Sequence, residues 1–175
     1  MLRPGFLLPP LMFSEEELQA IALGTQWVGR QTDEGLALAA RNAISKIEAV
    51  LPVELRTALY DNAFHVSRPT SLSPLIDLKM VRLSMREQRK LQISYQGPEG
   101  NRTTRIIWPI ALGFFEDRRI IAGWCEMRKD FRSFRADRIL SAELRTDCYP
   151  GRRQSLVKQW RAQVAAQEAR SNGKS

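Results

Sequence analysis

From Leu91 onward the hydrophobic period of this chain changes from that of a helix to two. Leu91, Ile93 and Tyr95 alternate with Gln92 and Ser94, which buries one face of a strand and exposes the other. Just before this point, Leu75, Leu78, Val81 and Met85 recur at helical spacing, widened by Ile76, Met80 and Leu83. A chain that switches period in this way is neither a helical bundle nor a sheet alone. The class is α+β. Gly97 to Asn101 is a turn by composition, and Thr103–Pro109, Ile110–Phe115, Arg119–Met127, Phe131–Ile139 and Ser141–Thr146 are expected as strands or strand pieces. The polar links Glu116–Arg118 and Arg128–Asp130 are hairpin-sized. Parallel pairing needs a crossover of a dozen residues or more, so these strands are antiparallel and form a small barrel or sandwich.

The front of the chain reads as helices. Ser14 and Glu17 make a capping box, followed by Leu18, Ile21, Ala22 and Val28 in a helix ending near Gly29. A second helix is expected over Asp33–Val50, with Leu36, Ala40, Ala43, Ile47 and Val50 on its apolar side. A short third one follows Pro52 through Leu59. His65 to Ser73 is the linker candidate; Ser73–Pro74 then starts a helix that runs to about Lys90, with Asp77 in its first turn. A last helix spans Arg152 to about Gln167, with Leu156, Val157, Trp160 and Val164 as its buried stripe, and the residues beyond it fray. The expected division is a helical spacer or dimerisation module over 1–68, a barrel with its leading helix over 73–149, and a C-terminal helix and tail over 150–175.

Several function classes are excluded at this level. No run of about 18 apolar residues exists, so no membrane span is expected. Prolines 4, 9 and 10 break the apolar start, which lacks a cleavage site and reads as a structured lead-in. Cys125 and Cys148 form no C-x-x-C pair and suit two free thiols in the cytoplasm. The single histidine, His65, leaves no metal cluster and no base for a nucleophile, and no phosphate-binding glycine loop or nucleophile elbow occurs. An enzyme is not expected, nor a metal or cofactor. The net charge of +8 is uneven. Residues 1–78 hold 6 basic and 9 acidic side chains, residues 79–138 hold 14 and 7, and residues 139–175 hold 7 and 3. The basic part faces something anionic.

The segment Arg118 to Ile139, with its Cys125-Glu126-Met127-Arg128 and Phe131-Arg132-Ser133-Phe134-Arg135-Ala136-Asp137-Arg138-Ile139, resembles the core of the WYL-domain transcriptional regulators, the YafY-like group. The resemblance extends upstream through Arg89–Tyr95 and Arg105–Pro109, and downstream to Tyr149–Arg153. It implies an Sm-like or SH3-like barrel that senses a nucleotide or nucleic acid through basic residues. The tripeptide that names the family is Arg119-Ile120-Ile121 here: the apolar strand positions stay, and any contact of an aromatic ring is lost. Relatives carry a winged helix-turn-helix ahead of the spacer, and this sequence starts where that module would end.

Alternation in the strands suggests where a ligand sits. If Ile121, Cys125 and Phe134 face the interior, Trp124, Arg128 and Arg135 point outward, where a ring can stack a base and guanidinium forks can clamp phosphate. The candidate binding residues are Arg105, Trp124, Arg128, Arg132, Arg135 and Arg138, with Tyr95, Asp137, Arg152 and Arg153 as secondary candidates. Each arginine has a second reading as a solvated or ion-paired side chain: Asp130 stands beside Arg132, and Asp137 between Arg135 and Arg138, where it is expected to orient an arginine. The expected function is ligand-responsive control of transcription, with nucleotide or single-stranded nucleic acid as ligand and a homodimer, or a heterodimer with full-length relatives, as the assembly. The alternatives are a single-stranded nucleic-acid-binding module and a truncated regulator acting through full-length partners.

Overall fold

A computed structural model describes residues 12–60, 66, 76–115 and 117–172. The chain divides into two units, Met1–Arg68 and Pro69–Ser175. Apart from residue 66, the expected linker from His65 to Ser73 lies outside the described residues, as does Pro74.

The first unit holds α1 (Glu15–Gln31), α2 (Glu34–Val50) and α3 (Val53–Tyr60). The capping box at the start of α1 is complete: the Glu17 amide donates to Ser14 Oγ at 3.2 Å and the Ser14 amide to Glu17 Oε2 at 2.8 Å. Asp33 caps α2 by accepting from the Leu36 amide. Leu18, Ala22, Leu51 and Leu59 form the core, with Phe13, Ile44, Ile47 and Leu55 packed on it. The buried stripe of α2 is the expected one in part: Ile47 packs on the core and Leu36 and Ala40 are half-buried. Ala37 and Ile44 face inward while Ala43 and Val50 are exposed, because both phases have helical spacing and only the neighbouring helices choose between them.

In the second unit α4 (Leu78–Glu87) precedes β1 (Arg89–Gln96), β2 (Arg102–Phe114), β3 (Arg119–Cys125) and β4 (Asp130–Arg135). A 3-10 turn (Ala136–Arg138), β5 (Ile139–Cys148) and α5 (Arg153–Asn172) complete it. The expected start of α4 at Ser73 is corrected: Asp77 is the cap and accepts from the Lys79 amide at 2.8 Å. Gln88, in the left-handed region at φ 55°, ends the helix and lets β1 begin at once.

The five strands form one antiparallel sheet in the order β4-β3-β2-β1-β5. The barrel is thus an open sheet whose edges, β4 and β5, are joined by the 3-10 turn. One face packs Leu91, Ile93, Tyr95, Ile107, Ile121, Cys125, Phe134 and Ile139 against Ile76, Leu78 and Val81. The other face carries Ile110, Ala122, Phe131, Ala111 and Trp124, covered by Leu156, Val157 and Trp160 of α5.

The two expected pieces Thr103–Pro109 and Ile110–Phe115 are one strand with a bulge. Pro109 pairs with Gly123 and Ala111 with Ala122, so Ile110 is the extra residue. Pro109 has no amide to give a ladder, and a bulge is where a sheet tolerates this. Beyond the bulge the phase inverts: Trp108 and Ala111 share the face under α5, whereas Ile107 and Leu112 share the other.

Candidate functional site

The aromatic pair Tyr95 and Phe134 links two strands that are not neighbours in the sheet. Tyr95 is on β1 and Phe134 on β4, strands that do not pair, yet their rings meet edge-on with centroids 5.3 Å apart. The guanidinium carbon of Arg105 lies 5.5 Å from the Tyr95 ring and 5.9 Å from the Phe134 ring. Arg105 Nε donates to Thr103 Oγ1 at 3.0 Å. A half-buried cation held over two rings gains about 0.5–2 kcal/mol.

Tyr95 also reaches the next arginine. Its hydroxyl accepts from the Arg135 backbone amide at 3.4 Å. The Arg135 side chain forks onto Asp137, Nε to Oδ1 at 3.1 Å and Nη2 to Oδ2 at 2.8 Å. This hydrogen-bonded pair pushes the Asp137 carboxyl down and the Arg135 guanidinium up from their ordinary values. Arg138, half-buried at the end of the 3-10 turn, adds a weaker pull on the same carboxyl. Arg105 thus lies over Tyr95, while Arg135 and Arg138 flank Asp137 where the Arg135 amide meets the Tyr95 hydroxyl.

The other candidates lie elsewhere. Arg128 is exposed in the β3–β4 turn, and Arg132, exposed at the start of β4, pairs with Asp130 at 3.1 Å. Three residues along an extended strand put Arg132 about 10 Å from Arg135 and on the opposite face. The five arginines expected as one surface form two groups.

Trp124 is half-buried. It stacks on Trp108 at 5.8 Å, meets Phe131 edge-on at 5.2 Å, and packs with the α5 residues. Its face was assigned correctly by alternation, but α5 occupies that face. Arg152 is exposed, while Arg153 is engaged: its Nη1 donates to the Ile110 carbonyl and its amide to Gln88 Oε1, both at 2.8 Å.

A polar network missed by the sequence reading ties β1, β5 and the turn after β3. Lys90 Nζ meets Glu126 at 2.8 Å and Asp147 at 3.0 Å, and Trp108 Nε1 donates to the same Glu126 oxygen at 2.8 Å. The hydrogen bonds from Lys90 and then Arg145 pull Asp147 down to about 2. Beside it a shallow groove of 220 Å³ is lined by Gln92, Ser94, Thr104, Ser141 and Glu143. With one carboxylate and no cation in its wall, the groove does not suit an anion. Among the described residues no group of three or more histidine, cysteine, aspartate or glutamate side chains is placed to hold a metal ion.

Residues 77–144 match the family model of the WYL domain. This chain carries a WYL domain. It begins at Asp77, the cap of α4, and ends within β5, so the rim around Tyr95 lies inside it. A solved structure, Proteasome accessory factor B/C (PafBC) of Arthrobacter aurescens, aligns at 24% identity with a TM-score of 0.43. The alignment covers 82% of this chain and 22% of that one, so the chain spans about a fifth of its length. Within the WYL domain, Arg119 is 3% exposed, lies 5.2 Å over the Phe114 ring and donates to the Phe115 carbonyl at 3.3 Å. Burial lowers its pKa. Ile121 is fully buried and Ile120 half-buried. Among the described residues no helix is long and apolar enough to cross a membrane.

Proposed function

We propose that the chain is a ligand-sensing regulatory protein in the control of transcription. Its WYL domain binds a nucleotide or single-stranded nucleic acid at the rim of Arg105, Tyr95, Arg135 and Arg138. The observation that carries this is the placement of Arg105. Its guanidinium rests on two aromatic rings, with no carboxylate of the described residues against it, and one of those rings belongs to Tyr95, whose hydroxyl meets the backbone amide of Arg135. Such forks match phosphate geometry, and fixing them beforehand reduces the entropy lost on binding. The rim offers positive charge and rings but no nucleophile with an adjacent base, so it acts as a binder and not a catalyst. The three-helix unit is the proposed route to a homodimer, or a heterodimer with other WYL regulators: Leu38, Val50 and Val53 are 51%, 81% and 70% exposed.

The test is a titration of the chain with ATP and with a thymidine decamer across salt. For the decamer, log K should fall with log salt at about 0.7 per phosphate engaged. Binding that ignores salt, or no binding of either probe, would remove this reading. Decamer binding without ATP binding would identify a strand and not a free nucleotide as the ligand.

A further inference from the structure

The aromatic side chains of the second unit are almost all committed to packing. Tyr95, Phe131, Phe134 and Tyr149 are buried, and Phe114, Trp108, Trp124 and Trp160 are half-buried in the two cores and the Trp108 stacks. Among the described residues of this unit Phe115 alone is exposed, at 52%. An exposed ring costs solubility and contributes little to the core.

Phe115 is nevertheless fixed. Its amide donates to the Arg118 carbonyl at 2.9 Å, and its own carbonyl accepts from Arg119 Nη1 at 3.3 Å. The ring folds back over Gly113, where a Cβ would come within 3.1 Å of Phe115 Cε2. The Arg118 guanidinium carbon lies 5.8 Å from the ring. The strand register then places the ring relative to the proposed site. Gly113 pairs with Ile120, and Ile120 with Arg135, so all three share the face that Phe115 occupies. Gly113, under the ring, is thus two strand spacings, about 10 Å, from Arg135 across the sheet. The half-buried Ile120 lies between them.

We infer that Phe115 is a base-stacking platform beside the arginine rim, taking one nucleobase while Arg135 and Arg118 hold the adjoining phosphate. This rests on the proposed anion-binding function and extends it to the base. A π-face accepts any base, so the subsite recognises the presence of a base and not its identity.

The experiment compares the whole chain with Phe115→Ala, Phe115→Trp and the double variant Arg105→Gln/Arg138→Gln. The probes are a thymidine decamer, an abasic decamer carrying the same phosphates, and ATP. The parent should prefer the thymidine decamer to the abasic one. Phe115→Ala should lose roughly five- to 100-fold in affinity for the thymidine decamer, leave the abasic decamer within twofold, and keep its melting temperature. Phe115→Trp should restore binding. The same loss with ATP would point to a free nucleotide, and its confinement to the decamer to a strand. If Phe115→Ala binds the thymidine decamer as the parent does while the arginine variant loses it, the stacking site is wrong and the anion site stands. If the parent binds none of the probes, both are wrong.

Discussion

Gly123 lies directly against the backbone of Trp108: a Cβ at position 123 would approach the Trp108 carbonyl oxygen to 2.7 Å and Pro109 Cα to 3.4 Å. Both neighbours are backbone at the β2 bulge, so neither can rotate away. Gly123→Ala should therefore cost about 1–3 kcal/mol, the usual penalty of overpacking. Urea denaturation with an unchanged m-value would register it as a lower midpoint.

The same bulge is braced by Tyr149, whose hydroxyl donates to the Pro109 carbonyl at 3.0 Å. Burial pushes this phenol up to about 12. Its neutral form is the one the fold favours, so the stabilisation is complete below pH 10 and is lost as pH rises toward 12. Of the three tyrosines, one should ionise near pH 12 in a spectrophotometric titration, and Tyr149→Phe should abolish that step. The variant should also lose about 1 kcal/mol of stability, since the Pro109 carbonyl loses its donor.

Lys90 sets the acid response of the domain. Asp147 falls from its ordinary 3.8 to about 2, and Glu126 is lowered too, first through hydrogen bonds from Lys90. Both carboxylates are stabilised in the folded state: the Asp147 contribution is present above pH 4 and disappears as pH falls to about 2, and that of Glu126 is likewise lost on acidification. Lys90→Met should flatten the loss of stability over that window. An acid limb identical to the parent's would mean that the network is not coupled to folding.

Trp124 should be silent in binding. Its ring is packed against Trp108, Phe131 and the α5 residues, so Trp124→Phe should change affinity for a thymidine decamer by less than twofold. The substitution should still lower stability, by about 1 kcal/mol, through lost packing.

These cases also separate what could be read from residues alone from what could not. The capping box of Ser14 and Glu17 is local, and so is the alternation of Leu91, Ile93 and Tyr95; both were legible. The bulge was not, because Trp108 to Leu112 is a nearly continuous apolar run in which either phase looks buried. The stripe of α2 has the same ambiguity. Alternation placed Trp124 opposite Cys125 but could not say that α5 would cover that face. The arginines were picked out by type and spacing. Their division into a rim around Tyr95 and a pair at the β3–β4 turn and the start of β4 depends on strand register, which no local pattern carries. Phe115 was counted as the end of a strand, and only its exposure sets it apart.

The most direct measurement compares two double variants by titration with a thymidine decamer at low salt. One is Arg105→Gln/Arg138→Gln at the rim, and the other is Arg128→Gln/Arg132→Gln at the β3–β4 turn and the start of β4. Each lost charge-assisted hydrogen bond is worth about 1.5–3 kcal/mol before screening. The rim variant should therefore bind at least tenfold more weakly with an unchanged melting temperature, while the turn variant stays within a few-fold of the parent. Equal binding by the rim variant and the parent, or loss confined to the turn variant, would contradict the rim as the ligand site.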